Sequence, residues 1–272
     1  MQHRYVPDLG DFSKLAVIRQ LARPGLSEGL KTGVVWYLNQ PESDKEGNLL
    51  NNDGRHRGYL LLPEGERRKY RDCEPLLFDQ LKSIHISGKQ DVREYRRLQI
   101  LGGRRKCVYF EDFVSAEKSA STRITSAQRI KHRESWFRRA KQKVSDCEVI
   151  FLDPDNGLLP SSISIEKSEA AKYATIDECV ALYEAGRRSL IIYQHVHRRG
   201  SAEKQSSAHM AALVSALGPI GACFALRFHR GSARFYIVVA TPQHAEALSR
   251  RAQEMIAGLW GEHRHFTLQA WR

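Results

Sequence analysis

No apolar stretch in this 272-residue chain runs beyond five or six residues, the longest being Val34–Leu38 and Phe235–Ala240. A membrane-spanning helix needs about twenty, so no membrane partner is expected. Cysteine is sparse: Cys73, Cys107, Cys147, Cys179 and Cys223 form no CxxC pair. That excludes the common spacings of structural zinc sites. An odd count of dispersed thiols fits a reducing compartment. The first eight residues carry no apolar run, so no secretory signal is expected and a cytoplasmic location is. Acidic residues are in deficit, 31 against 43 lysines and arginines, a net charge of +12. An excess of that size favours polyanionic partners, chiefly nucleic acid, DNA or RNA. With 42% apolar and 27% charged residues, the chain is not of the disordered class.

The periodic segments alternate. Asp11–Ala22 reads as a helix with Leu15, Val17, Ile18, Leu21 and Ala22 on one face. Strands are expected at Val34–Leu38, Lys106–Phe110, Glu148–Asp153 and Ser189–Tyr193, and helices at Pro75–Ile84, Ser126–Val144, Ile176–Ala185 and Glu203–Leu217. Two strands, Ala222–His229 and Ala233–Ala240, flank a short Arg-Gly-Ser turn and read as a hairpin. A helix over Gln243–Leu259 and a strand over His265–Trp271 follow. Alternation of this kind predicts an α/β fold: a mostly parallel, Rossmann-like sheet with helices on both faces and a C-terminal antiparallel hairpin at its edge. The expected organisation is one domain over 1–272, with a polar loop at about 39–58 and a basic helical region at about 67–143. In such sheets ligands bind beyond the carboxyl ends of the strands.

Three segments carry candidate chemistry. Phe151-Leu152-Asp153-Pro154-Asp155-Asn156-Gly157 ends a strand in two carboxylates, an amide and a glycine. It is either a turn whose Asp and Asn bond their own backbone or a functional turn at the sheet's working edge. Tyr193-Gln194-His195-Val196-His197-Arg198-Arg199 ends the next strand, and alternation sets His195 and His197 on one face. In the opening Asp8-Leu9-Gly10-Asp11-Phe12-Ser13-Lys14, Asp11 suits a helix N-cap. Lys14, one turn in, opposes the helix dipole, and so is either a solvated lysine or one kept for an anion or a carboxylate.

Gly10-Asp11-x-x-Lys14 on a first helix, the strand at Val34–Leu38, then Asp153-Pro154 and a final hairpin resemble the class I S-adenosylmethionine-dependent methyltransferases. The nearest likeness is to the adenine methyltransferases of DNA and of large-subunit ribosomal RNA. The resemblance implies that Gly10, Asp11 and Lys14 contact S-adenosylmethionine. It also implies that Asp153 orients an amine or polarises a nucleophile, and that Asn156 contacts the base. Base extrusion is the route expected on a duplex. The likeness covers the order of most elements, through short motifs. Asp155 and Asn156 stand where the family has a second proline and a stacking aromatic. Asn39-Gln40-Pro41-Glu42 stands where it has a glycine-rich loop.

Two other functions are open on the same residues. Asp153, Asp155, His195 and His197 are a candidate set for magnesium or manganese in a metal-dependent nuclease. Glu166-Lys167 lacks the residue that usually intervenes in the Asp…Glu-x-Lys nuclease signature. A non-catalytic nucleic-acid-binding subunit would need neither the glycine loop nor the aromatic. For all three readings the candidate phosphate contacts are Lys131, Arg138 and Arg139 on the helix from Arg129 to Lys143, with His197, Arg198 and Arg199. Arg67–Arg71, Arg93–Arg97 and Arg104–Lys106 are further basic clusters.

Overall fold

The computed structural model describes residues 3–40, 54–115, 124–184, 187–197 and 200–271. Its centre is a seven-stranded sheet. Four strands run parallel: β1 (Thr32–Trp36), β2 (Cys107–Phe110), β3 (Val149–Asp153) and β6 (Ser189–His195). β1 lies between β2 and β3, and β6 follows β3. Every residue of β1 and β3 is buried. That is why these strands read as unbroken apolar runs: both faces of a parallel sheet are covered. Strands β4 (Gly157–Leu158) and β5 (Tyr173–Ala174) form a separate two-stranded ribbon beyond β3.

The hairpin is β7 (Ala222–Phe228) and β8 (Arg234–Ala240), paired antiparallel from Ala222↔Ala240 to Phe228↔Arg234. It does not form the sheet's edge, as its sequence suggests it should. The returning strand β8 inserts next to β6, antiparallel to it, and β9 (Phe266–Ala270) pairs with the far side of β7. All seven residues of β8 are buried, and a strand of that composition gains most by being covered on both faces. The edge falls to β9, which is only partly buried.

Helices cover both faces. On one, α1 (Leu9–Leu21), α3 (Pro75–Ser87) and α8 (Ala245–Ala257) close over Phe12, Phe78, Trp36, Tyr236 and Phe266. On the other, α5 (Ser126–Lys143), α6 (Ile176–Tyr183) and α7 (Ala202–Leu217) bring Trp136, Leu182, Met210 and Leu213 against Ile150, Leu152 and Ile237. Phe12 is fully buried and meets the rings of Tyr59, Tyr70, Phe78 and Trp260. Truncating such a residue to alanine costs about 3–5 kcal/mol.

Several local expectations need correction. The polar segment at 39–58 is not a loop throughout. Residues 41–53 lie outside the described ones, but Gly54–Leu61 is a run of 3-10 helix, held where Tyr59 and Leu60 bury against the α1 face. The basic region adds α2 (Glu64–Arg71) and α4 (Arg93–Arg97), where dense charge hides the helical period. Helix α1 begins at Leu9, with Asp8 and not Asp11 as its N-cap. The final helix stops at Ala257 and resumes as α9 (Leu259–Glu262) across Gly258.

Candidate functional site

The cleft is built outward from the start of α1. Asp8 accepts from the Asp11 amide at 2.8 Å, and Asp11 accepts from the Asp8 amide at 3.2 Å. This reciprocal box satisfies two of the free N–H groups at the helix start. It aims the next turn, and with it Lys14, at the carboxyl end of β3. There the Lys14 Nζ meets Asp153 Oδ2 at 2.8 Å and Asp11 Oδ1 at 3.2 Å. Of the two roles open to Lys14, partner to a carboxylate is the one realised. The ammonium lies 5.8 Å from the Trp36 ring and 5.6 Å from the Tyr193 ring.

Burial shapes the charges here. Asp153 and Asp11 are each 1% exposed. Desolvation raises the Asp153 pKa above the usual carboxylate range, against the pull of Lys14. Burial works to lower that of Lys14, but Asp153, Asp11 and Asp8 outweigh it and hold the ammonium well above its ordinary value. Asp8 is pushed up to about 6 by burial and by Asp11. One oxygen of Asp153 remains: Oδ1 is buried and has no hydrogen-bond partner among the described residues.

The turn after β3 is stitched to β6 rather than to itself. Gln194 Oε1 accepts from the Leu158 amide at 2.7 Å, and its Nε2 donates to the carbonyls of Asn156 and His195. The Asn156 amide donates to the Lys172 carbonyl at 2.9 Å, where β4 joins β5. Asp155 accepts from Asn39 Nδ2 at 3.1 Å. Gly157 has φ +110°, and a Cβ there would stand 2.2 Å from Gln194 Oε1. Glycine is therefore required for both the turn and its clamp.

Asp8, Asp11, Lys14, Asp153, Asp155, Asn156 and His195 all line one cleft of about 400 Å³. Gly10 lies in α1 directly under the Arg234 guanidinium. His195 is half-buried, its pKa lowered by burial, Arg234 and His197. His197 is exposed, its ring 6.1 Å from that of His195, because β6 ends at His195 and the alternation ends with it. Among the described residues no group of three His, Cys, Asp or Glu side chains is arranged to hold a metal ion. Arg198 and Arg199 lie outside the described residues.

No family model matches the chain, and no curated protein matches it in sequence.

The remaining basic candidates lie elsewhere. Lys131, Arg138 and Arg139 are exposed on α5, away from its packed face and outside the cleft's lining; Arg139 Nε donates to Asp112 at 2.9 Å. Arg133, from the same basic helix, is buried and doubly bonded to Glu178, with further bonds to the Ala170 and Tyr173 carbonyls. Arg93, Arg96, Arg97 and Arg104 converge on a second cavity, of about 450 Å³, beside β2. There Arg93 pairs with Asp91, Arg96 with Glu111 and Arg97 with Glu94. Among the described residues no helix is long and apolar enough to cross a membrane.

Sequence reasoning passed over Asp8, Gln194 and Arg234. Asp8 was legible, since two acids three apart before an apolar run is a capping-box spacing. Gln194 and Arg234 acquire their roles from strand pairing, which no local pattern shows.

Proposed function

We propose that this chain is an enzyme of methyltransferase-like fold that transfers a methyl group to a base amine of nucleic acid. The observation that carries the reading is Asp153: Oδ2 is locked to Lys14, while Oδ1 is buried at the mouth of the sheet with no partner among the described residues. A buried acceptor with no donor costs about 1–3 kcal/mol. An amine N–H offered by a substrate would relieve that cost and be aligned by it. Lys14 keeps the carboxylate oriented, and the Gln194 clamp keeps the turn beyond it from moving.

The residues present also fit S-adenosylmethionine. Among the described residues Asp8, Asp11, Asp153 and Asp155 line the cleft with Lys14, Lys172 and Arg234, an acidic setting that suits a cationic sulfonium. Asp11 and Asp8 would hold the cofactor's cationic end, and the Trp36 and Tyr193 rings beside Lys14 favour positive charge. When bound, the cofactor supplies an electrophilic methyl group. Support for nucleic acid as the substrate class is the net charge of +12. Asn156 and His195, which line the same cleft, are suited to hydrogen-bond a base edge.

The test is transfer of labelled methyl from S-adenosylmethionine to DNA and RNA oligonucleotides, with and without a chelator. We expect transfer that survives chelation, and its loss in Asp153→Asn with cofactor binding by calorimetry retained. Absence of cofactor binding by the wild-type chain would refute the proposal. Chelator-sensitive cleavage of the oligonucleotide would replace it with the nuclease reading.

A further inference from the structure

The start of β8 delivers a cation, Arg234, to the cleft. Arg234 is 6% exposed and lines the same cavity as Asp153 and His195. Its Nε donates to the Ser232 carbonyl at 2.9 Å. Its guanidinium lies 6.0 Å from the Tyr193 ring and 5.8 Å from the Phe228 ring. Among the described residues neither Nη group has a hydrogen-bond or ion-pair partner.

The packing is cut to admit it. A Cβ at Gly10 would stand 2.0 Å from Arg234 Nη1, so any larger residue there would push the guanidinium from this position. A guanidinium taken out of water calls for acceptors on its remaining donors. A planar fork is matched by an oxyanion with two oxygens. Lys172, His56 and His195 line the cavity with it, while Asp11 and Asp153 are gathered about Lys14. Asp8 adds negative potential at Arg234 without reaching it as an ion pair.

We propose that Arg234 forms an oxyanion subsite of the cleft, and that the group it takes is a phosphate of the nucleotide being read. The proposal rests on the nucleic-acid half of the function proposed above. A charge-assisted pair of bonds to one phosphate makes a phosphorylated ligand bind about tenfold or more tighter than its unphosphorylated counterpart.

The experiment is calorimetry on the full chain with adenosine 5′-monophosphate, adenosine, S-adenosylhomocysteine and methylthioadenosine, which lacks the amino-acid carboxylate. The wild type should prefer the monophosphate to adenosine by about tenfold or more. Arg234→Gln should erase that preference while leaving adenosine affinity within about twofold. Arg234→Lys, which keeps the charge but loses the fork, should retain only part of it, and serves if the glutamine variant does not fold. No preference in the wild type, or one that persists undiminished in either variant, overturns the proposal. If the variants instead lose the preference for S-adenosylhomocysteine over methylthioadenosine, Arg234 takes the cofactor's carboxylate and the phosphate assignment falls. If Arg234 discriminates the monophosphate but the wild type binds no DNA or RNA oligonucleotide, the subsite stands for a free nucleotide and the nucleic-acid reading fails.

Discussion

Removing the Lys14 ammonium tests the electrostatic core of the cleft. In Lys14→Met the apolar stem is roughly conserved, but Asp153 and Asp11 lose the cation at 2.8 and 3.2 Å. Both carboxylates are 1% exposed, so solvent cannot replace it. Breaking a buried pair from one side costs about 3–5 kcal/mol, and we expect that loss at pH 8. Asp153 can escape the cost by taking a proton. Its folded pKa already lies above the usual range because of burial, and without Lys14 it rises further. A carboxyl whose folded pKa exceeds its unfolded value favours the fold below the unfolded pKa, and that stability is lost as pH rises through the folded pKa. The variant should therefore lose less at pH 5 than at pH 8. Lys14→Met/Asp153→Asn should recover most of the loss, since replacing both charges removes the desolvation that the pair offsets. Urea unfolding at the two pH values, with the single and double variants compared as a cycle, reads all of this. A loss under about 1 kcal/mol at pH 8 would show that water reaches the pair and refute the reasoning. So would a double variant as unstable as the sum of the singles.

Gly157→Ala should destabilise by about 1–3 kcal/mol in the same denaturation assay, because φ +110° is strained for any other residue and the new Cβ meets Gln194. A midpoint shift within error would mean that the turn relaxes freely. Reversing charge at Arg138 and Arg139 should weaken oligonucleotide binding and flatten its salt dependence without lowering the melting temperature, since both are exposed on α5; unchanged binding would remove that helix from the interface.

Hydrophobic period made the layer architecture readable. Buried parallel strands appear as short apolar runs, covering helices as one-sided stripes, and both signals are local. For the same reason α2 and α4 were hard to see: in Glu64–Arg71 and Arg93–Arg97 charged side chains surround a single buried tyrosine each, Tyr70 and Tyr95. The Asp153 turn was legible as a strand end rich in polar groups, and Lys14 as a cation set against the helix dipole. Their union was not, because Lys14 and Asp153 are 139 residues apart and meet only when α1 packs across the sheet.

What the sequence by itself determined, then, is the set of layers and the chemical types at the strand ends, since both follow from side-chain identity at fixed spacing. Tertiary structure alone decided the sheet order, with β8 inserted beside β6. That insertion lines Arg234 up with His195 across the ladder, and the pairing of β6 with β3 sets the Gln194 clamp on the Asp153 turn. It also decided which charges work in the cleft. Arg133 and Lys14 are both buried cations on helices, yet one is spent on Glu178 and backbone carbonyls and the other stands at the cleft against Asp153. The difference is one of burial and partner, and both are properties of the packed chain rather than of any segment in it.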